Sequence, residues 1–419
     1  MGNLVGYCCS LCGKQYLPQE VTYTCPADGG NVEVVLDFTG IAASVRPSDI
    51  WYSENPSLWR YLPLLPIREL IGQDTPLGAA GGTPTFASTV LRAGSGMPRL
   101  WVKDESRNPT GSFKDRASAV VVAHAQEIGA EIVVTASTGN AGAALAGMSA
   151  AVGQRSVIFA PKTAPPAKIA QLLVFGAQVL LVDGSYDDAF DLTVQAAGEF
   201  GWYCRNTGYN PFTLEGKKTA AFEIWEWWEH QVRQRVATSH ERLCIIVSVG
   251  DGNIISGLHK GFRDLHALGW LDVMPRIFGV QAVGSAAIAN AFRSGNETII
   301  PVQAKTLADS ISVDLPRDGV RAVRAARQTD GNYLLVTDEQ ILRAISELGK
   351  VGIFAEPAGS TAYAGFTQAL AEGVISPDDP VLVLNTGNGL KDIQSAMRAV
   401  SAAPVIAPEL SAVKKALNL

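Results

Sequence analysis

From about residue 131 onward, short runs of apolar residues alternate with longer stretches that are compatible with helices. The first four runs begin near residues 131, 155, 178 and 202. A spacing of roughly 23 residues leaves room for one strand, one helix and two short loops, which is the repeating unit of a parallel sheet. We therefore predict a four-stranded parallel sheet in this part of the chain.

Four further apolar runs begin near residues 243, 276, 333 and 381, again separated by helical segments, and they predict a second open sheet. The predicted fold class is therefore α/β, with two open, mostly parallel sheets. Ligands of such sheets bind beyond the carboxyl ends of the strands. The loops after Ala136, Val249 and Asn385 are rich in Gly, Ser, Thr or Asn and are the ones expected to face a ligand.

The remaining chain differs in composition from these two blocks. Residues 1–40 contain four of the six cysteines, and the Pro- and Gly-rich stretch that follows, to about residue 100, is typical of an arm with little regular structure. We predict a small amino-terminal segment over residues 1–40, a large α/β domain built from residues 41–115 and 214–419, and a small α/β domain over residues 116–213.

Composition and charge exclude several classes of protein. The chain has 419 residues, of which 47% are apolar, and 34 Lys and Arg face 40 Asp and Glu. This composition excludes a disordered chain, and without a basic tract we expect no nucleic-acid partner. No secretory signal is evident, and the uncharged stretch 132–154 is interrupted by polar residues, as in a buried strand followed by a small-residue helix. We therefore expect a cytoplasmic protein without a membrane partner.

Four motifs carry candidate chemistry. In residues 108–116 a single lysine, Lys114, follows a Pro-Thr-Gly-Ser turn at the start of an apolar helix, where its amine could attack a carbonyl. Residues 135–147 and 248–257 each run from a strand through a small-residue turn into a helix, whose free N–H groups suit an anion. Residues 384–392 end another strand in a glycine turn. Each motif alone is compatible with an ordinary turn, but together they predict one crevice.

Taken in order, NPTGSFKDR, ASTGN, NPFTLEGKKTAAFEIWE, FGVQAVGS, FAEPAGSTAYAG and TGNGLKD resemble the threonine synthase family. These are pyridoxal-phosphate enzymes of the tryptophan-synthase-β, or type II, fold, and the resemblance covers residues from about 50 to 400. It implies pyridoxal 5'-phosphate as the cofactor and a homodimer as the assembly. It also implies a lyase. The motifs define the reaction less closely than the cofactor, because threonine dehydratases and cysteate synthase share the same scaffold.

The resemblance assigns roles to individual residues. Lys114 would bind the cofactor covalently and move protons, and Asn140 would donate a hydrogen bond to the phenolic oxygen of the cofactor. The substrate carboxylate would be received by Ser137, Thr138 and Gly139. The loop of Gly250, Asp251, Gly252 and Asn253 would hold the cofactor phosphate, and the hydroxyl of Thr386 would face the pyridine nitrogen. A hydroxyl at that position makes the cofactor a milder electron sink, which suits elimination and replacement at Cβ or Cγ.

The implied reaction converts O-phospho-L-homoserine to L-threonine. The alternatives are a threonine or serine dehydratase, a specialised synthase similar to cysteate synthase, and a non-catalytic homologue. Asp251 departs from the Asn-containing loop of many relatives, and it would repel an anion unless its side chain turns away. Candidate ligands for a substrate phosphate are Lys103, Arg116 and Lys162, each of which could equally be a salt-bridged cation. Glu356 could lie near the cofactor or hold a helix start.

The amino-terminal cysteines resemble the zinc ribbon that precedes some threonine synthases. Cys9 and Cys12 form one CxxC pair, but the second pair is reduced to Cys25. Zinc also accepts carboxylates, so Asp28 or Cys8 could supply the fourth ligand. The alternative is a ribbon held by its strands without metal.

Overall fold

The computed structural model describes residues 3–419. The chain begins with a three-stranded antiparallel sheet in the order β2-β1-β3, formed by β1 (Leu4–Cys9), β2 (Gln15–Tyr16) and β3 (Val32–Leu36). The inward positions of β3 alternate with half-exposed ones, as expected for a strand with one buried face. The cysteine-bearing turns lie at one end of this sheet.

The predicted arm contains more regular structure than the sequence indicates. It holds α1 (Phe38–Ser44), α2 (Pro47–Trp51), a 3-10 helix (Leu58–Leu64), β4 (Thr85–Phe86) and α3 (Thr89–Ser95). Its aromatic side chains pack on the body of the protein, where the rings of Tyr61 and Phe222 lie 5.2 Å apart. The arm therefore wraps over a larger body as expected, although as a series of short helices.

Two elements connect the arm to the small sheet. They are β5 (Leu100–Asp104), which is buried along its whole length, and α4 (Lys114–Glu127). The sequence analysis did not predict β5, because its last two residues, Lys103 and Asp104, are charged. Both are buried beside polar partners: Lys103 Nζ lies 2.8 Å from Glu223 Oε2, and Asp104 Oδ1 accepts a hydrogen bond from Asn385.

The small sheet follows the predicted strand–helix rhythm. All its strands are parallel in the order β8-β7-β6-β9. Its elements are β6 (Ile132–Ala136), α5 (Asn140–Ala151), β7 (Arg155–Pro161), α6 (Pro166–Val174), β8 (Gln178–Val182), α7 (Tyr186–Phe200) and β9 (Tyr203–Cys204). The uncharged stretch 132–154 is thus a buried strand and helix, as expected. No helix within residues 3–419 combines the length and apolar character needed to cross a membrane.

The rest of the chain completes the large sheet. Its elements are α8 (Phe212–Arg233), β10 (Cys244–Ser248), α9 (Asn253–Ala267), β11 (Arg276–Ala282), α10 (Ala287–Arg293), α11 (Gly319–Arg327), β12 (Tyr333–Val336), α12 (Asp338–Gly349), α13 (Pro357–Ala371), β13 (Val381–Asn385), α14 (Ile393–Arg398) and α15 (Leu410–Leu417). The strand order is β12-β11-β10-β13-β5-β4, and only β4 is antiparallel to its neighbour. The predicted α/β class with two mostly parallel sheets is confirmed.

The two sheets are joined by closely packed helices. A Cβ on Gly216 of α8 would lie 2.1 Å from the carbonyl oxygen of Arg116 in α4, so only glycine permits this approach. The predicted domain boundaries at 115/116 and 213/214 fall inside α4 and α8. These boundaries remain a prediction, since the two helices belong to the contact between the sheets as much as to either sheet.

Candidate active site

Lys114 is held at the first position of α4 by the turn that precedes it. The side chain of Asp115 accepts a hydrogen bond from the Thr110 backbone N–H at 2.6 Å, and Gly111 adopts a φ of +82°. The Phe113 N–H donates to the Thr386 carbonyl at 3.0 Å, which joins this turn to the end of β13. The Pro-Thr-Gly-Ser turn therefore fixes the lysine against a loop that is far away in sequence.

The glycine loop after β10 forms a cradle at the start of α9. A Cβ on Gly250 would lie 2.8 Å from Ile311 Cα, and Gly252 has a φ of +91°, so side chains are excluded at both positions. No side chain caps α9. Its first backbone N–H groups are therefore available to an anion at the positive end of the helix dipole.

Asp251 is the acidic residue of this loop, and its carboxylate is held by a hydrogen bond from a neighbouring segment. Asp251 Oδ1 accepts a hydrogen bond from the Arg317 backbone N–H at 3.2 Å. Burial raises the pKa of Asp251, while the nearby cations Lys217, Arg317 and Lys114 oppose this rise. The anticipated repulsion of an anion is thus reduced by neighbouring positive charge.

The turn after β6 faces the same region from the small sheet. Asn206 Oδ1 accepts hydrogen bonds from the Ala136 N–H at 2.8 Å and from Thr135 Oγ1 at 3.0 Å, which fixes the end of the strand. Asn140 begins α5, and its Nδ2 donates to Glu356 Oε1 at 2.6 Å. Glu356 is the cap residue of α13 but its side chain does not cap that helix. Its carboxylate points to the site instead.

Two cavities that share Lys114 and Asp251 bring the predicted residues together. The larger cavity, about 310 Å³, lies next to the turn after β6, and its wall includes Lys114, Ser137, Thr138, Gly139 and Asn140. The smaller cavity, about 40 Å³, is lined by the glycine loop and by Lys114, Gly250, Asp251, Gly252, Asn253 and Thr386. Every residue assigned by resemblance to the cofactor or substrate lines at least one of them. Their roles remain predictions.

Burial shifts the charge states of the central groups. Lys114 has its pKa lowered, chiefly by burial, and Glu356 has its pKa raised, also by burial. Both shifts favour the neutral forms of the amine and the carboxyl group. A neutral amine is able to act as a nucleophile or accept a proton, so Lys114 is electrostatically suited to both roles.

Lys217 is a site residue that the sequence analysis missed. It lies in α8, is fully buried, lines the smaller cavity, and donates from Nζ to Asn253 Oδ1 at 2.6 Å. Burial, followed by the positive charges of Lys114 and Arg205, lowers its pKa well below its ordinary value. The signal was present in the LEGKK motif, but the motif does not reveal which lysine faces the cavity.

Ser248 is a second missed residue. It ends β10, lines the smaller cavity, and its Oγ lies 3.3 Å from Thr386 Oγ1. The two hydroxyls form a pair at the carboxyl ends of neighbouring parallel strands, β10 and β13. This pairing depends on strand order, which the sequence does not state.

The three cations considered for a substrate phosphate lie elsewhere. Lys103 and Arg116 belong to a buried ion-pair network with Glu105 and Glu223. Lys162 pairs with Asp183 at the protein surface. None of the three lines either cavity around Lys114. Their charges are balanced by carboxylates, as in the alternative considered from the sequence.

The cysteines of the amino-terminal sheet converge on one point. The ligand atoms of Cys9, Cys12, Cys25 and Asp28 all lie within 4.8 Å of one another. Cys12 Sγ is 3.8 Å from Cys25 Sγ, and Cys9 Sγ is 3.4 Å from Asp28 Oδ1. Tetrahedral zinc, with bonds of about 2.3 Å to sulfur and 2.1 Å to oxygen, separates such pairs by about 3.8 and 3.6 Å. Cys8 instead has its sulfur near backbone carbonyls and is outside the group.

Comparison with known proteins establishes the family. The profile of a family described as pyridoxal-phosphate dependent enzyme matches residues 77–387. Threonine synthase of Methanocaldococcus jannaschii is 38% identical over 413 residues, covering 98% of both chains. Threonine synthase of Methanosarcina acetivorans is 35% identical over 412 residues, with the same coverage. The chain belongs to the threonine synthase family of pyridoxal-phosphate dependent enzymes.

A solved structure supports the same architecture for this threonine synthase family member. The processed form of threonine deaminase isoform 2 from Solanum lycopersicum superimposes with a TM-score of 0.63 at 20% identity, covering 79% of this chain and 92% of that one. At this identity the likeness concerns the fold. The predictions of a pyridoxal-phosphate-dependent lyase and of the type II fold are confirmed, and an enzyme is favoured over a non-catalytic homologue.

Proposed function

We propose that this family member converts O-phospho-L-homoserine and water to L-threonine and inorganic phosphate. The observation that carries the proposal is the position of Lys114, whose side chain lines both the cavity of the glycine loop and the cavity of the Ser137–Asn140 turn. One amine is therefore within reach of a cofactor and of an amino acid beside it. The similar proteins are threonine synthases, and the resemblance of the sequence motifs to that family implies the phosphorylated substrate.

The residues around the smaller cavity fit the cofactor. Backbone N–H groups of the loop 250–253 and the Lys217 ammonium would hold its phosphate, and Lys114 would bind its aldehyde carbon. Thr386, held beside Ser248, would face the ring nitrogen with a hydroxyl, which does not force a proton onto that nitrogen. When bound, pyridoxal phosphate withdraws electrons from the amino acid and acidifies the C–H bonds near its amino group.

The larger cavity would hold and orient the amino acid. Free N–H groups and hydroxyls at the start of α5 suit its carboxylate, as the sequence analysis proposed for Ser137, Thr138 and Gly139. Lys114 Nζ would then take the proton from Cα, since burial favours its neutral form. Asn140, fixed by its hydrogen bond to Glu356, would orient the cofactor's phenolic oxygen. Removal of a second proton, from Cβ, would then expel the phosphate from Cγ. Protonation of Cγ to a methyl group, addition of the hydroxyl of water at Cβ and return of a proton to Cα would complete the conversion.

One assay panel tests the proposal. The pyridoxal-phosphate-loaded protein is offered phosphohomoserine, threonine, serine and phosphoserine, and threonine, inorganic phosphate, ammonia and keto acids are measured. We expect phosphate and threonine in equal amounts from phosphohomoserine, and a loss of about 100- to 10,000-fold in Lys114→Ala, the range for removal of a general acid or base. Ammonia and a keto acid from threonine or serine alone would instead identify a dehydratase, and turnover of phosphoserine alone a specialised synthase.

We also propose that Cys9, Cys12, Cys25 and Asp28 hold zinc. The separations between their ligand atoms support this, because they agree with those expected around a tetrahedral ion. Such a site would crosslink the turns of the amino-terminal sheet and contribute to folding rather than to chemistry.

The assembly and compartment are proposals of the same kind. We propose a homodimer, as the resemblance implies. We also propose a cytoplasmic location, which is supported by the low number of cysteines in so long a chain. Light scattering of the purified protein measures the first, and localisation of a tagged chain measures the second. A monomer in solution would contradict the dimer without affecting the proposed reaction.

A further inference from the structure

The last helix, α15, is too short to be stable in isolation. It has eight residues, Leu410–Leu417, and none of them is buried. Isolated helices of fewer than about 12 residues are marginal in water, because few hydrogen bonds offset the cost of nucleation. The helix nevertheless ends in a stabilising way, with Asn418 as a left-handed C-cap and Lys414 and Lys415 in its last turn. A contact with another surface would supply the stabilisation that α15 lacks.

The exposed side chains of α15 and of the segment before it include several large apolar ones. Leu410, Val413 and Leu417 are spaced by three and four residues, which places them on one face of the helix. Leu410 and Leu417 are 71% and 62% exposed, and Val405 is fully exposed. Soluble proteins rarely leave apolar side chains grouped in water unless the group meets a partner. Residues 405–417 are called the tail below.

A second exposed apolar stripe lies on α14 and its flanks. Leu390, Ile393, Met397 and Val400 are spaced by three or four residues and therefore share one side of this helix. All four are exposed, Leu390 at 70% and Met397 at 59%. The ring of Phe354, also exposed, lies against the backbone just before Leu390 and extends the stripe. These five residues are called the α14 patch.

The linker between the stripe and α15 directs the tail away from its own chain. Residues 401–409 include Pro404 and Pro408, which restrict the backbone and favour an extended segment. Every residue from 400 to 411 is exposed, so the tail does not fold back onto its own α14 patch. Nine extended residues span up to about 30 Å, which is enough to reach a neighbouring molecule.

We propose that the tail of one copy docks on the α14 patch of a second copy, so that the two chains of a homodimer exchange their last helices. The inference rests on the homodimer proposed above and is independent of the proposed reaction. Two helices that each expose an apolar face bury both faces when they pack together. In a dimer with a two-fold axis each chain supplies one tail and one patch, so the contact occurs twice and the assembly is closed.

The α14 patch borders the candidate active site. Leu390 lines a third cavity, of about 470 Å³, whose wall also contains Asn140, Glu356 and Lys391. This cavity shares the turn that ends at Asn140 with the larger cavity beside Lys114. A helix docked over Leu390 would cover one side of the third cavity. The second copy would thereby contribute part of its wall.

Charged substitutions on each side of the contact test the inference. The full-length, pyridoxal-phosphate-loaded protein is studied by sedimentation velocity over a range of concentrations. We expect wild type to be a dimer, and Leu410→Glu in the tail and Met397→Glu in the patch each to raise the dissociation constant about 10- to 100-fold. Both positions are exposed in the single chain, so neither substitution removes a core contact. Val174→Glu, at an 84% exposed residue of α6, is the control and should leave the dimer unchanged.

A mixture of the two variants distinguishes docking on a second copy from docking within one chain. Met397→Glu keeps an intact tail and Leu410→Glu keeps an intact patch, so a mixed dimer regains one of the two contacts. We expect the mixture to dimerise more strongly than either variant alone. A mixture that behaves as the average of its components would indicate docking within one chain and would overturn the inference.

Three further outcomes would overturn the inference: a monomeric wild type, unchanged dimerisation in both variants, and an equal effect of Val174→Glu. The proposed reaction is judged separately, by the assay panel described above. A monomer that converts phosphohomoserine to threonine would contradict the docking alone. A dimer that is weakened by both substitutions but leaves phosphohomoserine unchanged would contradict the reaction alone.

Discussion

Asn140 Nδ2 donates a 2.6 Å hydrogen bond to Glu356 Oε1, and this contact joins the first residue of α5, beside the small sheet, to the start of α13, beside the large one. It lies where the two cavities meet, and a Cβ on Gly387 would come within 2.1 Å of the same carboxylate oxygen. The carboxylate of Glu356 therefore packs between the end of β13 and the start of α5. It fixes the side-chain amide of Asn140, which is the group proposed to contact the cofactor.

Removal of this carboxylate should impair catalysis through the position of Asn140. Glu356→Ala leaves the amide without its partner, and we expect kcat to fall about 10- to 100-fold, since an unsupported orienting group is commonly worth this much. Glu356→Gln preserves an acceptor oxygen and should retain most of kcat. Burial lowers the pKa of Lys114 and the negative charge of Glu356 opposes that fall, so the Gln variant should also shift the acidic limb of the kcat–pH profile to lower pH. Equal losses in both variants would argue against positioning.

The phosphate assignment of Lys217 predicts a selective loss of cofactor affinity. Lys217→Gln keeps an N–H donor for Asn253 but removes the charge, and we expect the affinity for pyridoxal phosphate to fall about 10- to 100-fold. The affinity for pyridoxal, which lacks the phosphate, should change little. Titration of the apo protein by absorbance or fluorescence measures both constants. Lys350→Gln, at an exposed lysine, is the control, and parallel losses for both ligands would refute the assignment.

The buried carboxyl next to Lys114 predicts a pH-dependent stability. Burial raises the pKa of Asp115 to about 6, whereas an unfolded chain has about 3.9. The folded carboxyl binds its proton more tightly, so its contribution to the free energy of unfolding is present below about pH 4 and is lost as the pH rises through 6. Its size is about 3 kcal/mol, from 1.36 kcal/mol per pKa unit.

Asp115→Asn removes this titration. Relative to wild type, the variant should become progressively more stable between pH 4 and 7, as measured by melting temperature or urea midpoint. Asp37→Asn, at an exposed helix cap where Asn also caps, should produce no comparable trend. A stability difference independent of pH would contradict the assigned pKa.

The cysteine cluster predicts bound metal with a defined ligand set. Purified protein should contain about one zinc per chain, and Cys25→Ser should lose most of it, because a tetrahedral site with three protein ligands is open and weaker. Asp28→Cys completes four sulfurs and should retain zinc at least as tightly. Cys8→Ser is the matched control, since Cys8 lies outside the group. Elemental analysis and melting curves with and without a chelator measure these effects. Zinc loss from Cys8→Ser alone would contradict the proposed ligand set and identify Cys8 as a ligand.

The sequence predicts the parallel strands well because burial on both faces produces continuous apolar runs. The runs near 131, 155, 178, 202, 243, 276, 333 and 381 all became strands. The exception, β5, carries Lys103 and Asp104 in its buried end. Their charges are matched by residues more than a hundred positions away, and only the folded chain brings those partners together.

The parts of the site that are formed by backbone turns were predictable from the sequence. Turns rich in Gly, Ser and Asn carry a local signature, so the loops around Ser137, Gly250 and Thr386 were recognised. Lys217 was missed because its distinguishing property is full burial beside Asn253 at the smaller cavity, which no linear motif records. For the same reason Lys103 and Arg116 were considered as phosphate ligands, although each is neutralised in the fold.

The amino-terminal sheet has a mechanical consequence for the catalytic half of the molecule. The Asn31 side chain spans two backbone carbonyls, those of Gly208 and Arg317, and Arg317 is the residue whose N–H supports Asp251. One amide thereby connects the segment that contains Gly208 to the segment that contains Arg317, which contacts the glycine loop. A shorter protein that lacks the residues before 40 would lose both hydrogen bonds of Asn31. The loss would disturb the cavities around Lys114, although none of the removed residues lines them.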